Sequence, residues 1–494
     1  MNKNLIKLSK NSFFYLISNF FSVFLGMAFL PIYTSYLTPN EYGITAIASS
    51  ISVLFTAIFS LGLIDSFKRF YFDYRGDEKA FKQYISTLVF FVLMFGLLSI
   101  LLIINSRGIV ENYIKGIPFY PYVLMSILQS YFLVFFQIRL AFFQNEQKSK
   151  KYAFFYIASV IMQNVLILLL VVVQRLGAFG YILAGMISNF VLAVVSVWML
   201  RAYIISKFDL PKLIASLRYG LPLLPGLISS WLLISADRFI LNYLVDSSEV
   251  GIYSVGYKIS MSMNLLVSSI GIAWMPYFYE MMKGTTENSK KEVARFITYW
   301  ILVLCFSSLL LSIFSKEVIY IFAPSYYSAF KIVPLVVLGY LLGGFCTILI
   351  NPLLWKGKTS IVTIATMLSG LLNIGLNFIL IPRYLMTGSA LSLVLSFLFY
   401  LIFIGYYSIK IMPLGYEYGR ISKVLAVTIL CYLMWYYLPE NNIIWVGVLC
   451  KIIIIVMYFL VLLLTKFFGS EEKATINKYL MEKHSIWHKH MNLF

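Results

Sequence analysis

Apolar runs of eighteen residues or more recur along this 494-residue chain, and nothing else in it constrains the fold so strongly. At a rise of 1.5 Å per residue, each run is long enough as a helix to cross a hydrocarbon core about 30 Å thick. Backbone N–H and C=O groups find no water in that core, so a spanning segment must satisfy them internally, as a helix does. Composition agrees: 61% of the residues are hydrophobic, 12% are charged and the mean hydropathy is +0.86, values foreign to water-soluble domains. The chain is expected to be an all-α polytopic membrane protein. Its opening, "MNKNLIKLSK", resembles the start of a secretory leader, but the apolar run continues to Leu37 without a small-residue cleavage site. It reads as the first span.

Polar breaks divide the chain into fourteen transmembrane helices, near 11–37, 43–64, 84–105, 118–138, 152–173, 179–200, 220–244, 250–275, 296–315, 332–354, 361–381, 387–408, 424–438 and 443–465. With the N-terminus in the cytoplasm, 30 of the 39 Lys and Arg residues fall on the inner side and six on the outer. That asymmetry is what the positive-inside rule demands, and it puts both termini inside. The net charge of +19 is therefore read as topology, which leaves no soluble basic module for nucleic acid. Cys305, Cys346, Cys431 and Cys450 all lie within spans at no metal-ligand spacing and read as packing residues.

The loop "YLTPNEYGI" from Tyr36 matches "YLVDSSEVGI" from Tyr243 with one inserted residue, an offset of about 208. A similar offset relates Asn164, Arg175, Gly180 and Ser188 to Asn373, Arg383, Gly388 and Ser396. Two parallel six-helix repeats follow, residues 1–205 and 206–410, with two additional helices in 411–466 and a cytoplasmic tail in 467–494. Such lobes characterise several transporter classes, with the substrate path between them. In the tail, Ile476, Leu480, Trp487, Met491 and Phe494 share one stripe of a predicted interfacial helix, and His484, His488 and His490 read as part of its solvated basic face.

Span 1 carries Ser12, Tyr15, Asn19, Ser22 and Gly26 on one helical face, and span 2 carries Thr45, Ser49, Ser52, Thr56 and Ser60. Singly, such stripes are usually helix-packing surfaces. Together with Gly226 and Ser230 on span 7 and Ser254, Ser262 and Ser269 on span 8, they suggest a shared wet surface. Asn19, Ser22 and Ser49 become candidate substrate ligands, whereas Asn164 and Asn373 read as packing groups. The inner loops "DSFKRFYFDYRGDEKAFKQ" and "RLAFFQNEQKSKK" mix cations with aromatics, a pattern suited to anionic headgroups of the membrane lipids.

Asp237, Arg238 and Lys258 lie at one depth, roughly 10 Å below the outer surface by helical rise. A charged side chain inside the bilayer costs on the order of 3 kcal/mol, so such residues pair or face a watery cavity. The preferred pairing is Asp237 with Lys258 across the hairpin, which leaves Arg238 to present a cation beside Asn242. The alternative is a structural ion pair with Arg238 reaching outward. Arg238, Lys258 and Asn242 are the substrate-binding candidates of this layer. Asp237 is the candidate for coupling to a proton or sodium gradient, and no other cofactor and no metal site is expected. Lys451 in span 14 is a weaker candidate.

"YGLPLLPG" from Tyr219, "DRFILNYL" from Asp237 and "VGIYSVGYKI" from Val250 resemble the start of the C-terminal half of polysaccharide-repeat-unit flippases, members of the multidrug/oligosaccharidyl-lipid/polysaccharide exporter superfamily. "FLPIYTSYLTPNEYGI" resembles the matching part of their first half. The resemblance implies a two-lobed fold in the bacterial inner membrane. It implies translocation of undecaprenyl-diphosphate-linked oligosaccharide from the cytoplasmic to the outer leaflet by alternating access, in cell-surface polysaccharide biosynthesis, with a polysaccharide polymerase as partner. Two other functions stay open at this point: an ion-coupled drug/cation antiporter of the same superfamily, and a membrane polymerase or ligase acting on lipid-linked sugars. The first favours acidic cavities, and the second needs acid/base groups on sizeable outer loops that this sequence lacks.

Overall fold

The computed structural model describes residues 3–284, 287–438 and 444–469. Regular structure among them is helical throughout. Each predicted run becomes helix because lipid leaves its backbone no partner but itself. The first half comprises α1 (Lys3–Ala28), α2 (Leu30–Tyr36), α3 (Pro39–Ser60), α4 (Leu63–Tyr74), α5 (Glu78–Asn105), α6 (Arg107–Tyr113), α7 (Leu124–Asn145), α8 (Ser149–Ile167) and α9 (Gly177–Leu200). The second comprises α10 (Leu210–Gly220), α11 (Leu224–Ile234), α12 (Ala236–Leu244), α13 (Ser247–Lys283), α14 (Glu287–Ile313), α15 (Ser315–Phe322), α16 (Val333–Trp355) and α17 (Thr359–Ile411). Helices α18 (Tyr418–Tyr436) and α19 (Ile444–Leu464) follow.

Among the described residues, eleven helices are long and apolar enough to cross a membrane. One of them, α17, holds 53 residues, and Leu385 at φ 51° and ψ −134° turns it between the predicted spans 361–381 and 387–408. Helices α13 and α18 cover two further predicted runs without being among the eleven. The tail stripe from Ile476 to Phe494 and its three histidines lie outside the described residues.

Helices α3, α5 and α10 carry side-chain N-caps, which occupy first-turn N–H groups that have no partner within the helix. At α3 the Thr38 hydroxyl accepts from the Glu41 N–H at 3.3 Å while Glu41 Oε2 accepts from the Thr38 N–H at 2.9 Å, a reciprocal capping box with Pro39 beside it. Asp77 caps α5 and Asp209 caps α10. The aromatics of the two inner loops do not all face headgroups as expected. Phe67, Tyr71, Phe81, Tyr84 and Phe142 are buried together, with Phe67 stacked on Phe142 at 6.2 Å and Tyr71 edge-on to Phe81 at 5.2 Å. Burying rings against one another removes more apolar area from water than laying them on a surface.

Two compact units can be drawn. The first takes residues 1–273 and 315–411, so it includes helices of both predicted repeats. Its most buried candidate span is the one containing α7, which packs on α3 and α9. The second takes residues 274–314 and 412–494. Within it α18 packs on α14 and α19 on α18, so the two helices beyond the predicted repeats lie against the third span of the second one. Thr298 there donates to Glu417 at 2.7 Å, and the Arg420 guanidinium pairs with Glu417 at 3.1 Å and covers the Phe467 ring at 4.6 Å.

Within the first unit the two halves of the chain meet through the glycines that the repeat alignment equates. A Cβ on Gly43 would fall 1.7 Å from the Ser247 carbonyl oxygen, and one on Gly251 would fall 1.9 Å from the Pro39 carbonyl oxygen. Pro39 and Ser247 are themselves equivalent at the 208-residue offset, so each glycine seats the other sextet's backbone in the same manner. Gly62, in the left-handed region at φ 71°, and Gly220 make a comparable approach at the opposite end of α3. Gly251→Ala is expected to force these backbones apart at a cost on the order of 3 kcal/mol or more, measured as lost thermal stability of the purified full chain, whereas Gly226→Ala, with open space around it, is expected to leave stability unchanged.

Candidate functional site

The charged layer assembles from α12 and α13, and its pairing differs from the expected one. Asp237 bonds Arg238, not Lys258: Arg238 Nη1 lies 3.2 Å from Asp237 Oδ1, and the Arg238 backbone N–H donates to the same oxygen at 2.8 Å. The Tyr253 hydroxyl donates to Asp237 Oδ2 at 2.5 Å. Neighbouring residues diverge by about 100° around a helix, yet a long guanidinium can fold back along its own helix and reach the preceding carboxylate. Arg238 Nη1 also donates to the Ile234 carbonyl at 2.9 Å, and its guanidinium lies 4.4 Å from the centre of the Tyr257 ring. Both partners are enclosed, with side-chain exposures of 2% for Asp237 and 12% for Arg238.

Lys258 is therefore the cation of the layer that no carboxylate claims; among the described residues it forms no ion pair. Its Nζ lies 5.4 Å from the centre of the Tyr33 ring, and its Cε lies 3.7 Å from where a Cβ on Gly26 would sit. Gly26 continues the face of α1 that bears Asn19 and Ser22, so its missing side chain leaves room for the lysine stem. Tyr33 is fixed in turn by donating its hydroxyl to Asn164 Oδ1 and by an edge contact with Tyr181 at 5.7 Å. Asn164 and Asn373 both stand in helix contacts, as expected. The Nδ2 of Asn164 donates to Val160 O, and Asn373 Oδ1 accepts from Asn377, whose own Oδ1 accepts from Ser389.

The remaining sequence candidates separate. Asn19 and Ser49 are exposed and Ser22 is half-buried. The rest of the span 2 stripe is packing surface, because Thr45, Ser52, Thr56 and Ser60 are buried and Ser52 donates to Ser126 O of α7 at 3.0 Å. The wet surface proposed for that stripe thus reduces to Ser49. Asn242 does not stand free beside Arg238: its Nδ2 donates to Lys115 O and its Oδ1 accepts from Ser247 Oγ, both at 2.7 Å.

That Asn242 bond belongs to a seal at the end predicted to face outward. Lys115 follows the third span of the first sextet, and its Nζ also lies 4.1 Å from the Tyr243 ring centre. The reciprocal contact joins α2 to the segment after the third span of the second sextet. Thr34 Oγ1 donates to Phe322 O at 3.0 Å, and the Tyr326 hydroxyl donates to Leu37 O at 2.7 Å. Away from this seal, at the end predicted to face the cytoplasm, a cleft of about 710 Å³ opens between α4 of the first sextet and α11 and α17 of the second. Lys68, Arg69, Leu223, Leu227, Ser230 and Thr366 line it. Sequence reasoning set Lys68 and Arg69 in an inner loop suited to anionic headgroups and did not place them at a cleft. The available signal was their placement on an amphipathic helix beside Asp65 and Asp73. No cluster of metal-ligating side chains occurs among the described residues.

Comparisons with known proteins agree with this architecture. Residues 8–282 match the family model described as "Polysaccharide biosynthesis protein". A protein named for the Lsg locus of Haemophilus influenzae is 25% identical over 386 residues, which is 75% of this chain and 90% of that protein. The structure of a lipid II flippase, MurJ, in an inward closed conformation superposes with a TM-score of 0.71 at 16% identity, covering 90% of this chain and 97% of the flippase. An inward-facing multidrug resistance transporter of the MATE family, in the MOP superfamily, superposes with a TM-score of 0.60 at 13% identity, covering 86% and 99%. At these identities the superpositions establish a shared fold.

The ion pair allows a direct check. Asp237→Asn leaves Arg238 enclosed without its counter-charge and is expected to cost about 3–5 kcal/mol, whereas Asp237→Asn combined with Arg238→Met is expected to recover most of that loss. Tyr253→Phe is expected to cost about 1.5–3 kcal/mol through one lost bond to a charged acceptor. Thermal unfolding of these variants and of Arg238→Met alone would measure the coupling, and additive losses from the two single changes would show that the pair is not one unit.

Proposed function

Because the chain belongs to the polysaccharide biosynthesis protein family, whose model matches residues 8–282, we propose that it is a flippase for undecaprenyl-diphosphate-linked oligosaccharide repeat units. It moves them from the cytoplasmic to the outer leaflet of the bacterial inner membrane by alternating access, with both termini in the cytoplasm. The observation that carries this reading is Lys258, a cation of predicted span 8 that lies beside Tyr33 of the first half and has no ion-pair partner among the described residues. Holding such a charge in the bilayer costs on the order of 3 kcal/mol. A cation–π contact returns about 0.5–1 kcal/mol at exposed sites and about 2 or more when desolvated, and here Nζ stands 5.4 Å from the ring centre, near the outer reach of such a contact. A diphosphate supplies the missing counter-charge, while exposed Asn19 and Ser49 and half-buried Ser22 offer the donors and acceptors that sugar hydroxyls need.

Arg238 acts in this reading through its partners, holding α12 and α13 together, and Lys258 makes the direct contact. A cation antiporter fits less well, because its substrate would meet Lys258, Lys68 and Arg69. The outward seal and the inward cleft correspond to the half of the cycle in which cargo is received from the cytoplasm, with outward release requiring the Thr34–Phe322 and Asn242–Lys115 bonds to break.

The test is the leaflet distribution of lipid-linked repeat units in cells lacking this chain. The wild-type chain is expected to restore outer-leaflet units, Lys258→Ala to lower the rate at least tenfold, and Lys258→Arg to retain most of it, since the charge is kept. Transfer at the normal rate in Lys258→Ala would remove this lysine from the substrate's route.

A further inference from the structure

We infer that the cleft between α4, α11 and α17 is a separate docking site for the phosphate headgroup of an amphiphile, occupied before the cargo reaches Lys258. The inference rests on the flippase reading and adds to it a second cationic station. Along α11 and α12, Ser230 in the cleft precedes Arg238 in the charged layer by eight residues, about 12 Å of helical rise. The cleft and the charged layer therefore lie at two successive levels of the second half's chain, separated by the break at Ser235.

The lining has the two chemistries of a lipid phosphate. Lys68 and Arg69 supply cations on one wall, and Leu223 and Leu227 supply an apolar surface on the other, each about 40% exposed. A soluble phosphate needs no such wall; a polyprenyl chain does. Both cations are held ready rather than consumed. Lys68 pairs with Asp65 at 3.2 Å and Arg69 with Asp73 at 3.0 Å, and all four side chains are 41–53% exposed. Exposed pairs of this kind contribute about 0–1 kcal/mol. A diphosphate that offers several oxygens to a planar guanidinium and an ammonium displaces them readily. Because α4 belongs to one sextet and α11 and α17 to the other, a headgroup seated here touches both.

Phosphate on an apolar chain has two sources at this surface, the lipid-linked cargo and ordinary anionic phospholipid. The experiment separates them. The full-length protein in phosphatidylcholine nanodiscs is titrated with farnesyl diphosphate, with inorganic diphosphate and phosphatidylglycerol as competitors. Saturable binding is expected, weakened at least tenfold by Lys68→Gln with Arg69→Gln and unchanged by Lys207→Gln, an exposed inner-loop cation outside the cleft. Asp65→Asn with Asp73→Asn is expected to tighten binding several-fold, an effect that a purely structural ion pair would not give. Unchanged affinity in the Lys68→Gln/Arg69→Gln protein would overturn the site. Inorganic diphosphate binding as tightly as farnesyl diphosphate would overturn the role of the apolar wall. Displacement by phosphatidylglycerol at equal headgroup concentration would assign the cleft to bilayer lipid and overturn docking of cargo. In cells, the double glutamine variant is expected to need more lipid-linked substrate for half-maximal transfer at an unaltered maximal rate. Should the wild-type chain move no lipid-linked units, the flippase reading fails while the nanodisc titration still judges the cleft alone.

Discussion

The close approach of two backbones at Gly43 and Gly251 is the contact on which the rest of the first unit depends. Each glycine lies against a carbonyl of the other sextet, and any side chain there would overlap it. In lipid, helices have little hydrophobic reason to prefer one another over acyl chains, so association relies on close packing and on hydrogen bonds between segments. The approach supplies the first, and the bonds of Thr34, Tyr326 and Asn242 to opposing carbonyls supply the second. Because carbonyls of non-regular segments are the acceptors, the seal also satisfies groups that would otherwise be stranded at the membrane surface.

The charged layer shows how one chain can gather three ionisable groups between its helices and bond them differently. Asp237 and Arg238 neutralise each other within one helix, with Tyr253 completing the carboxylate's bonding. This local solution leaves Lys258, on the next helix, facing Gly26 and Tyr33 of the other sextet. A buried ion pair on one helix and, on the next, a cation without an ion pair among the described residues are the result.

Much of this was legible along the chain. Hydropathy and length prescribed helices, because lipid allows a single chain of this pattern few other ways to satisfy its backbone. The matched motifs "NEYGI" and "SEVGI" were visible, and their glycines each lie against the other segment's backbone. Asn164 and Asn373 read correctly as packing groups. The span 2 stripe did not read correctly as a wet surface, since a hydroxyl that faces α7 and one that faces a cavity recur at the same helical spacing. The partner of Asp237 was likewise misjudged: spacing describes where Cβ atoms point, while a guanidinium on three methylenes can turn back on its neighbour.

Sequence alone determined the class of the protein, an all-helical membrane chain with most of its charges gathered at the loops and Asp237, Arg238, Lys258 and Lys451 within predicted spans, because burial in lipid acts on each segment independently of the others. Only tertiary structure decided that Asp237 pairs with Arg238 and not with Lys258, and that Lys68 and Arg69 line a cleft. It also decided which end of the sextets is sealed. These outcomes depend on distances between helices far apart in the chain, and such distances follow from packing, on which the order of residues along any one helix is silent.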